Sequence, residues 1–207
     1  MGTQGKCLMH HSNELLRQEI MAMAENDLAV RQELVTDGSL SSHGYHPRME
    51  AVHRSNASRL ATIIEQYGWP GESLVGEDGA RAAWLVAQHA IGNPPFMRQC
   101  HSLLKQAVSG NDAPQWQAAM LEDRIRMYEG RPQVYGTQFQ PDKDGVFIPY
   151  AIENPESVND RRRAVGLGTL EERLAEMREQ GAQEKVSLPP GREAEYERWL
   201  RSVGWRE

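Results

Sequence analysis

The spacing of its helix breakers constrains this chain more than any other feature. DGSLSSHGYHP (37–47), GWPG (68–71), GNP (92–94) and SGND (109–112) cut residues 12–128 into five stretches, each several helical turns long. Gly and Pro interrupt helices through backbone freedom and a missing N–H, and most of these breaks are too short to hold another element. The pattern predicts helices over Ser12–Val35, Met49–Tyr67, Asp78–Ala90, Pro95–Val108 and Pro114–Tyr128. Ser12 or Asn13 can cap the first, and Pro95 sits in the first turn of the fourth, where its missing N–H costs nothing. Short connections favour antiparallel neighbours. The expected fold is all-α, a compact antiparallel helical bundle.

After Gly130 the pattern changes. RPQVYGTQFQPDKDGVFIPYAIENPES (131–157) mixes β-formers with Pro and Gly and reads as an irregular loop or short hairpin insertion turning at Asp144-Gly145. Three shorter helical patterns follow, at Val158–Arg163, Thr169–Gln180 and Arg192–Val203. The expected organisation is a flexible tail over 1–11 and a single helical domain over 12–207, with no internal repeat.

Composition narrows the function classes. With 23 Lys+Arg against 29 Asp+Glu the net charge is −6, and no basic stripe with interleaved aromatics appears, which argues against nucleic acid as a partner. No apolar run approaches the roughly 18 residues a membrane span needs. The start MGTQGKCLMHHSNELL lacks an apolar secretory core and carries Lys6 where myristoylation wants Ser or Thr. Cys7 and Cys100 have neither disulfide-framework nor metal spacing, so the expected setting is the reducing cytoplasm.

Polar residues stand where core should be. A helix packed on a core places apolar residues at i, i+3, i+4 and i+7. In the first helix Asp27 and Arg31 fall on the face of Leu16, Ile20, Met23 and Leu34. The second runs His53, Asn56, Leu60, Ile63/Ile64, Tyr67, and the fifth sets Asp123 inside the stripe Trp116, Met120, Met127, with Arg124 near its edge. The third places Gln88 and His89 one turn after Trp84 and Leu85. A buried charge without a partner costs several kcal/mol, so these groups are expected to meet in one polar centre between helices. Against this stand bland readings: a surface ion pair for Asp27 and Arg31, a helix-end bond for Gln88-His89, and a loop tie for Asp123-Arg124.

A second candidate is GRPQVYGTQF (130–139), whose Gln133, Tyr135 and Gln138 offer uncharged hydrogen-bonding groups around Gly136. YGWPGESLVG (67–76) reads as a tight interhelical turn with Trp69 as a packing anchor. His10 and His11 read as solvated tail residues, His43 and His46 as loop residues able to gate a pocket, and His101 as borderline on its helix.

LLRQEIMAMAENDLAVR (15–31), HRSNASRL (53–60), YGWPGESLVGEDGARAAWLVAQHA (67–90), EDRIRMYEGRPQVYGTQF (122–139) and ESVNDRRRAVGL (156–167) together resemble an uncharacterised, mostly bacterial family, domain of unknown function 6624. GWP, QHA and YGTQ are its specific motifs. The resemblance picks out Asp27, Arg31, His53, Asn56, Trp69, Gln88, His89, Asp123, Arg124, Gln133, Tyr135, Gln138, Arg161 and Arg162. Leu28 departs from it, since a glutamine tends to follow the aspartate there. The family name implies no activity.

The expected function is a cofactor-independent enzyme acting on a small polar molecule by acid–base chemistry: hydrolysis, elimination or cyclisation. His53 is the expected acid/base, oriented by Asp27 or Asp123, with His89 as a further catalytic group. Arg31, Asn56, Gln88, Arg124, Gln133, Tyr135 and Gln138 would bind the substrate. One alternative is a metal-binding bundle enzyme, although Glu-x-x-His and H-E-x-x-H are absent. Another is a non-enzymatic interaction or immunity-like protein working through LEERLAEMREQ (170–180), whose Leu170, Leu174 and Met177 form a narrow stripe.

Overall fold

The computed structural model describes residues 13–41, 45–143, 145–184 and 191–207. The predicted tail, His43 and Asp144 lie outside the described residues. The elements are α1 (Glu14–Thr36), α2 (Pro47–Tyr67), α3 (Glu72–His89), α4 (Pro94–Ser109), α5 (Gln115–Tyr128), β1 (Phe139–Pro141), β2 (Phe147–Pro149), α6 (Val158–Ala164), α7 (Leu170–Glu184) and α8 (Arg192–Val203), with single 3₁₀ turns at Ser39–Ser41 and Pro155–Ser157. The fold is all-α, as the breaker spacing predicts. Its one sheet among the described residues is an antiparallel hairpin pairing Phe139 with Pro149 and Pro141 with Phe147, inside the predicted insertion.

Capping chemistry sets the helix starts. Asn13 Oδ1 accepts the Leu16 N–H at 3.1 Å and opens α1. His46 Nδ1 accepts the Arg48 N–H at 3.2 Å, so α2 begins at Pro47, two residues earlier than predicted. His46 is therefore a cap.

The larger correction concerns α3, which starts at Glu72 and not at Asp78. Asp112, in the turn after α4, accepts the Ser73 N–H through its side chain at 2.6 Å and the Glu72 N–H through its carbonyl at 3.0 Å. That clamp satisfies orphan amides and nucleates a helical turn inside the stretch that reads as a loop. Gly76, at φ 73° and ψ 170°, then bends the chain before the main helix resumes, a conformation glycine reaches without a Cβ penalty. The interhelical turn proper is only GWPG, and Trp69 packs half-buried against the core as expected.

Small residues make α3 the central helix. Gly79, Ala80, Ala82, Ala83 and Ala87 are all buried, and a Cβ at Gly79 would lie 3.2 Å from Arg17 Cγ of α1. Such close approach lets α1, α2, α4 and α5 surround it. Ile20, Leu60, Ile63, Leu104 and Leu121 are fully buried around it, each worth about 1.5–3 kcal/mol. Trp84 Nε1 donates to the Gln117 carbonyl at 3.0 Å and ties α3 to α5. Trp205, just past α8, donates to the Ile91 carbonyl at 2.7 Å and ties the end of the chain to the end of α3. The C-terminal part of α3 is thereby held between helices, with Gln88 buried and His89 half-buried.

His101 gives this core a pH dependence. It is half-buried on α4, its Nε2 is buried without a hydrogen-bond partner, and burial lowers its pKa from the ordinary 6.5. The unfolded chain takes up that proton near pH 6.5 and the folded chain only below it. Stability is thus complete above this point and falls as pH drops through it. His89 shifts in the same direction. Replacing His101 by Met is expected to shrink, without abolishing, the loss of melting temperature between about pH 8 and pH 5, read by thermal unfolding across that range.

Candidate functional site

Asp27 stands in the fourth turn of α1, on the same face as Leu16, Ile20 and Leu34, and is 0% exposed. Its carboxylate meets two imidazoles. His53 of α2 approaches Oδ1 through Nε2 at 3.2 Å, and His89 at the end of α3 approaches Oδ2 through Nδ1 at 2.7 Å. The two rings lie 5.0 Å apart. Tyr45, just before α2, completes the row with its hydroxyl 2.5 Å from His53 Nδ1.

The partners dictate where the protons sit. Burial pushes the Tyr45 phenol well above its ordinary pKa, so it keeps its proton and donates to His53 Nδ1. In the neutral ring the remaining proton is then on Nε2, facing Asp27. Burial works against ionisation of Asp27, yet the hydrogen bonds from His53 and His89 outweigh it and hold the carboxyl below the usual carboxylate range. His89 is lowered, first by burial and only partly offset by Asp27. A neutral His89 donates from Nδ1, which leaves Nε2 with a free lone pair and no hydrogen bond among the described residues.

Tyr45 and His53 both border open space. A cavity of about 340 Å³ is lined by Tyr45, Glu50, His53, Arg54, Ser58 and Asn93 among others. A larger one, about 840 Å³, is lined by Tyr45 together with Tyr128, Gln138, Phe147, Tyr196 and Trp199 among others. Trp199 of α8 meets the Tyr45 ring edge-on at 5.3 Å between centroids.

Asp123 does not join this row. It too is 0% exposed, but its oxygens accept the N–H groups of Val134 (2.7 Å), Tyr135 (3.1 Å) and Thr137 (3.0 Å) and the Thr137 hydroxyl (3.0 Å). Burial raises its pKa while these donors pull the other way. The expected single polar centre is therefore two. The face of α5 that packs on the core carries Gln117, Leu121, Ile125 and Tyr128; Asp123 points instead at the 134–137 loop.

That loop is built from the other uncharged candidates. Gln133 donates to the Gln138 and Tyr150 carbonyls at 3.0 and 3.1 Å and accepts the Gln138 N–H at 2.6 Å, supplying the bonds a strand would make. Arg162, 3% exposed, donates to the carbonyls of Gly168, Tyr135 and Gly136, and Arg161 to that of Val134. Gly136, at φ 64°, has a backbone conformation that strains any L side chain, and a Cβ there would also have to displace Ile152 Cδ1, 2.7 Å away. Of this group Gln138 lines the larger cavity, and the Tyr135 side chain is half-buried.

The remaining candidates divide as well. Asn56 donates to the Met23 carbonyl at 3.0 Å and pins α2 to α1 beside the row. Gln88 is 2% exposed, and neither atom of its amide finds a partner. Its backbone carbonyl accepts from Arg124 Nη1 at 3.2 Å, and Arg124 Nε is buried and unpaired. Arg31 is exposed: helical phase places its Cβ, but its long side chain reaches water. Sequence reasoning missed Tyr45, which lies in a turn-rich loop with no periodicity. It also missed the spacing Glu50, His53, Arg54, Ala57 (i, i+3, i+4, i+7), which puts one face of α2 along the smaller cavity.

One donor atom each from Asp27, His53 and His89 lies within 4.8 Å of the others, so these three could also hold a cation. Fold and site together define a class: an all-α protein with a buried carboxylate–imidazole row opening on cavities between its helices. The chain belongs to the family of unknown function DUF6624, which it matches over residues 14–186. Both polar clusters lie inside that segment, and α8 lies beyond it. No curated protein and no solved structure matches the chain.

Asp123 is expected to be an anchor for the loop. Replacing it by Ala strands three backbone donors and should cost about 3 kcal/mol in denaturant unfolding. Hydrogen exchange at Val134, Tyr135 and Thr137 should quicken most.

Proposed function

We propose that this protein is an enzyme that moves protons on a small polar molecule bound against Tyr45. The observation that carries the reading is the ordered row Tyr45–His53–Asp27, which starts at two cavities and ends on a carboxylate with no exposure. A substrate proton passed to the Tyr45 oxygen, as the phenol proton moves to His53 Nδ1, leaves an imidazolium against Asp27. The new charge is born already paired, which matters most where water is excluded. In reverse, the same row returns the proton to a leaving group or a carbanion. Hydrolysis, elimination and cyclisation all need this pair of actions, and the reading invokes no organic cofactor.

The interaction-protein reading has less support. Its helix, α7, rests on β2 and α6, and Leu170, Leu174 and Met177 are half-buried. A stripe already leaning on its own chain offers little to a partner.

Incubating the purified protein with small-molecule extracts, and following consumed and formed masses, tests the proposal without a known substrate. Wild type is expected to change at least one compound. His53→Gln and Tyr45→Phe should slow that change by roughly 100-fold or more with the helical fold intact. A folded His53→Gln variant with unchanged turnover would remove His53 from the chemistry and end this reading.

A further inference from the structure

The two buried aspartates solve the same problem in different ways. Asp123 spreads its charge over three backbone N–H groups and a hydroxyl, donors that cannot do anything else. Asp27 has no backbone amide, hydroxyl, guanidinium or ammonium against it among the described residues. Its partners are two ring nitrogens, each able to present a lone pair in place of a proton. We propose that Asp27, His53 and His89 form a binding site for one divalent transition-metal ion, of which Zn²⁺ is the probe.

Donor chemistry favours that class of ion. Two imidazoles and one carboxylate suit zinc and its neighbours, whereas calcium and magnesium prefer oxygen alone. The three donors come from three different helices, α1, α2 and α3, so the set is held by rigid elements packed on one another. One donor atom of each already lies within 4.8 Å of the other two, close enough for small side-chain rotations to enclose an ion.

The surroundings fit as well. A metal-ligating histidine commonly has its other nitrogen fixed by an oxygen, and Tyr45 stands 2.5 Å from His53 Nδ1. With an ion on Nε2 the ring keeps its proton on Nδ1, and the Tyr45 oxygen turns from donor to acceptor without moving. Entry is available through the cavity that His53 lines, and the His89 side chain is 20% exposed. Three protein donors leave a coordination position open, as sites that act on a bound molecule require. This inference goes beyond the proton-transfer reading, because an ion can bind whether or not turnover follows.

The test is zinc titration of the full chain after stripping with a chelator, read by calorimetry and elemental analysis. About one equivalent is expected to bind with a Kd on the order of 1 μM or tighter. Asp27→Asn and His89→Gln should weaken it by roughly 100-fold and Tyr45→Phe by about 10-fold, the last through ring orientation alone. Removing His10, His11 and His46 together should leave binding unchanged. Histidine ¹⁵N spectra of wild type need no variant to fold: zinc should move the His53 and His89 resonances together. Weaker binding by wild type, equal binding by Asp27→Asn and His89→Gln, or shifts confined to other histidines would overturn the site. Loss of turnover in His53→Gln without any zinc binding would end this inference and leave the proton-transfer reading standing. Zinc binding with unchanged turnover in His53→Gln would do the reverse.

Discussion

A carboxylate that water cannot reach is the constraint on which the rest of this structure depends. An unpaired charge at Asp27 would cost several kcal/mol, a large fraction of the stability of a chain this size. The helices around it are arranged so that this never happens. α2 delivers His53 and α3 delivers His89 to its two oxygens, and Asn56 ties α2 to α1 through the Met23 carbonyl. Tyr45 extends the chain of hydrogen bonds to the cavities. The groups that make burial of Asp27 tolerable are the ones with protons and lone pairs to offer.

The position of α3 makes the arrangement possible. Its small residues allow neighbouring helices close on several sides, and its final turn then ends inside the protein. Gly76 and the Asp112 clamp fix where that helix starts, Trp84 fastens its middle to α5, and Trp205 fastens its end. α8 closes the assembly by setting Trp199 against Tyr45, which joins the end of the chain to the row although α8 lies outside the family-matched segment.

Helical phase made much of the site legible. Asp27, His53 and Asn56 stand on apolar stripes and are buried; Asp123 is buried too, but off the face by which α5 packs on the core. Phase says which way a side chain leaves its own axis; it does not say which neighbour it meets. That is why one expected centre is two, with Asp123 turned to the amides of a loop that has no period to read. Arg31 shows a second limit, because phase fixes Cβ while a long side chain decides where its charge ends. Tyr45 shows a third: a loop residue acquires its role only when the loop is placed.

The chain's own residues determined the all-α fold, the number of long helices and most of their breaks, because Gly, Pro and capping groups act within a few residues of where they stand; the start of α3 is the exception, set by Asp112 from the far end of α4. They also determined that several carboxylates and imidazoles would be drawn inside, since periodicity is a local property of a helix. Tertiary structure alone decided which of these groups share a hydrogen bond. Asp27, His53 and His89 are 26 and 36 residues apart in sequence, and only the packing of α1, α2 and α3 brings their reactive atoms together. Proton position, tautomer and fitness for a cation all depend on distances of a few ångströms between helices, which no spacing along the chain encodes.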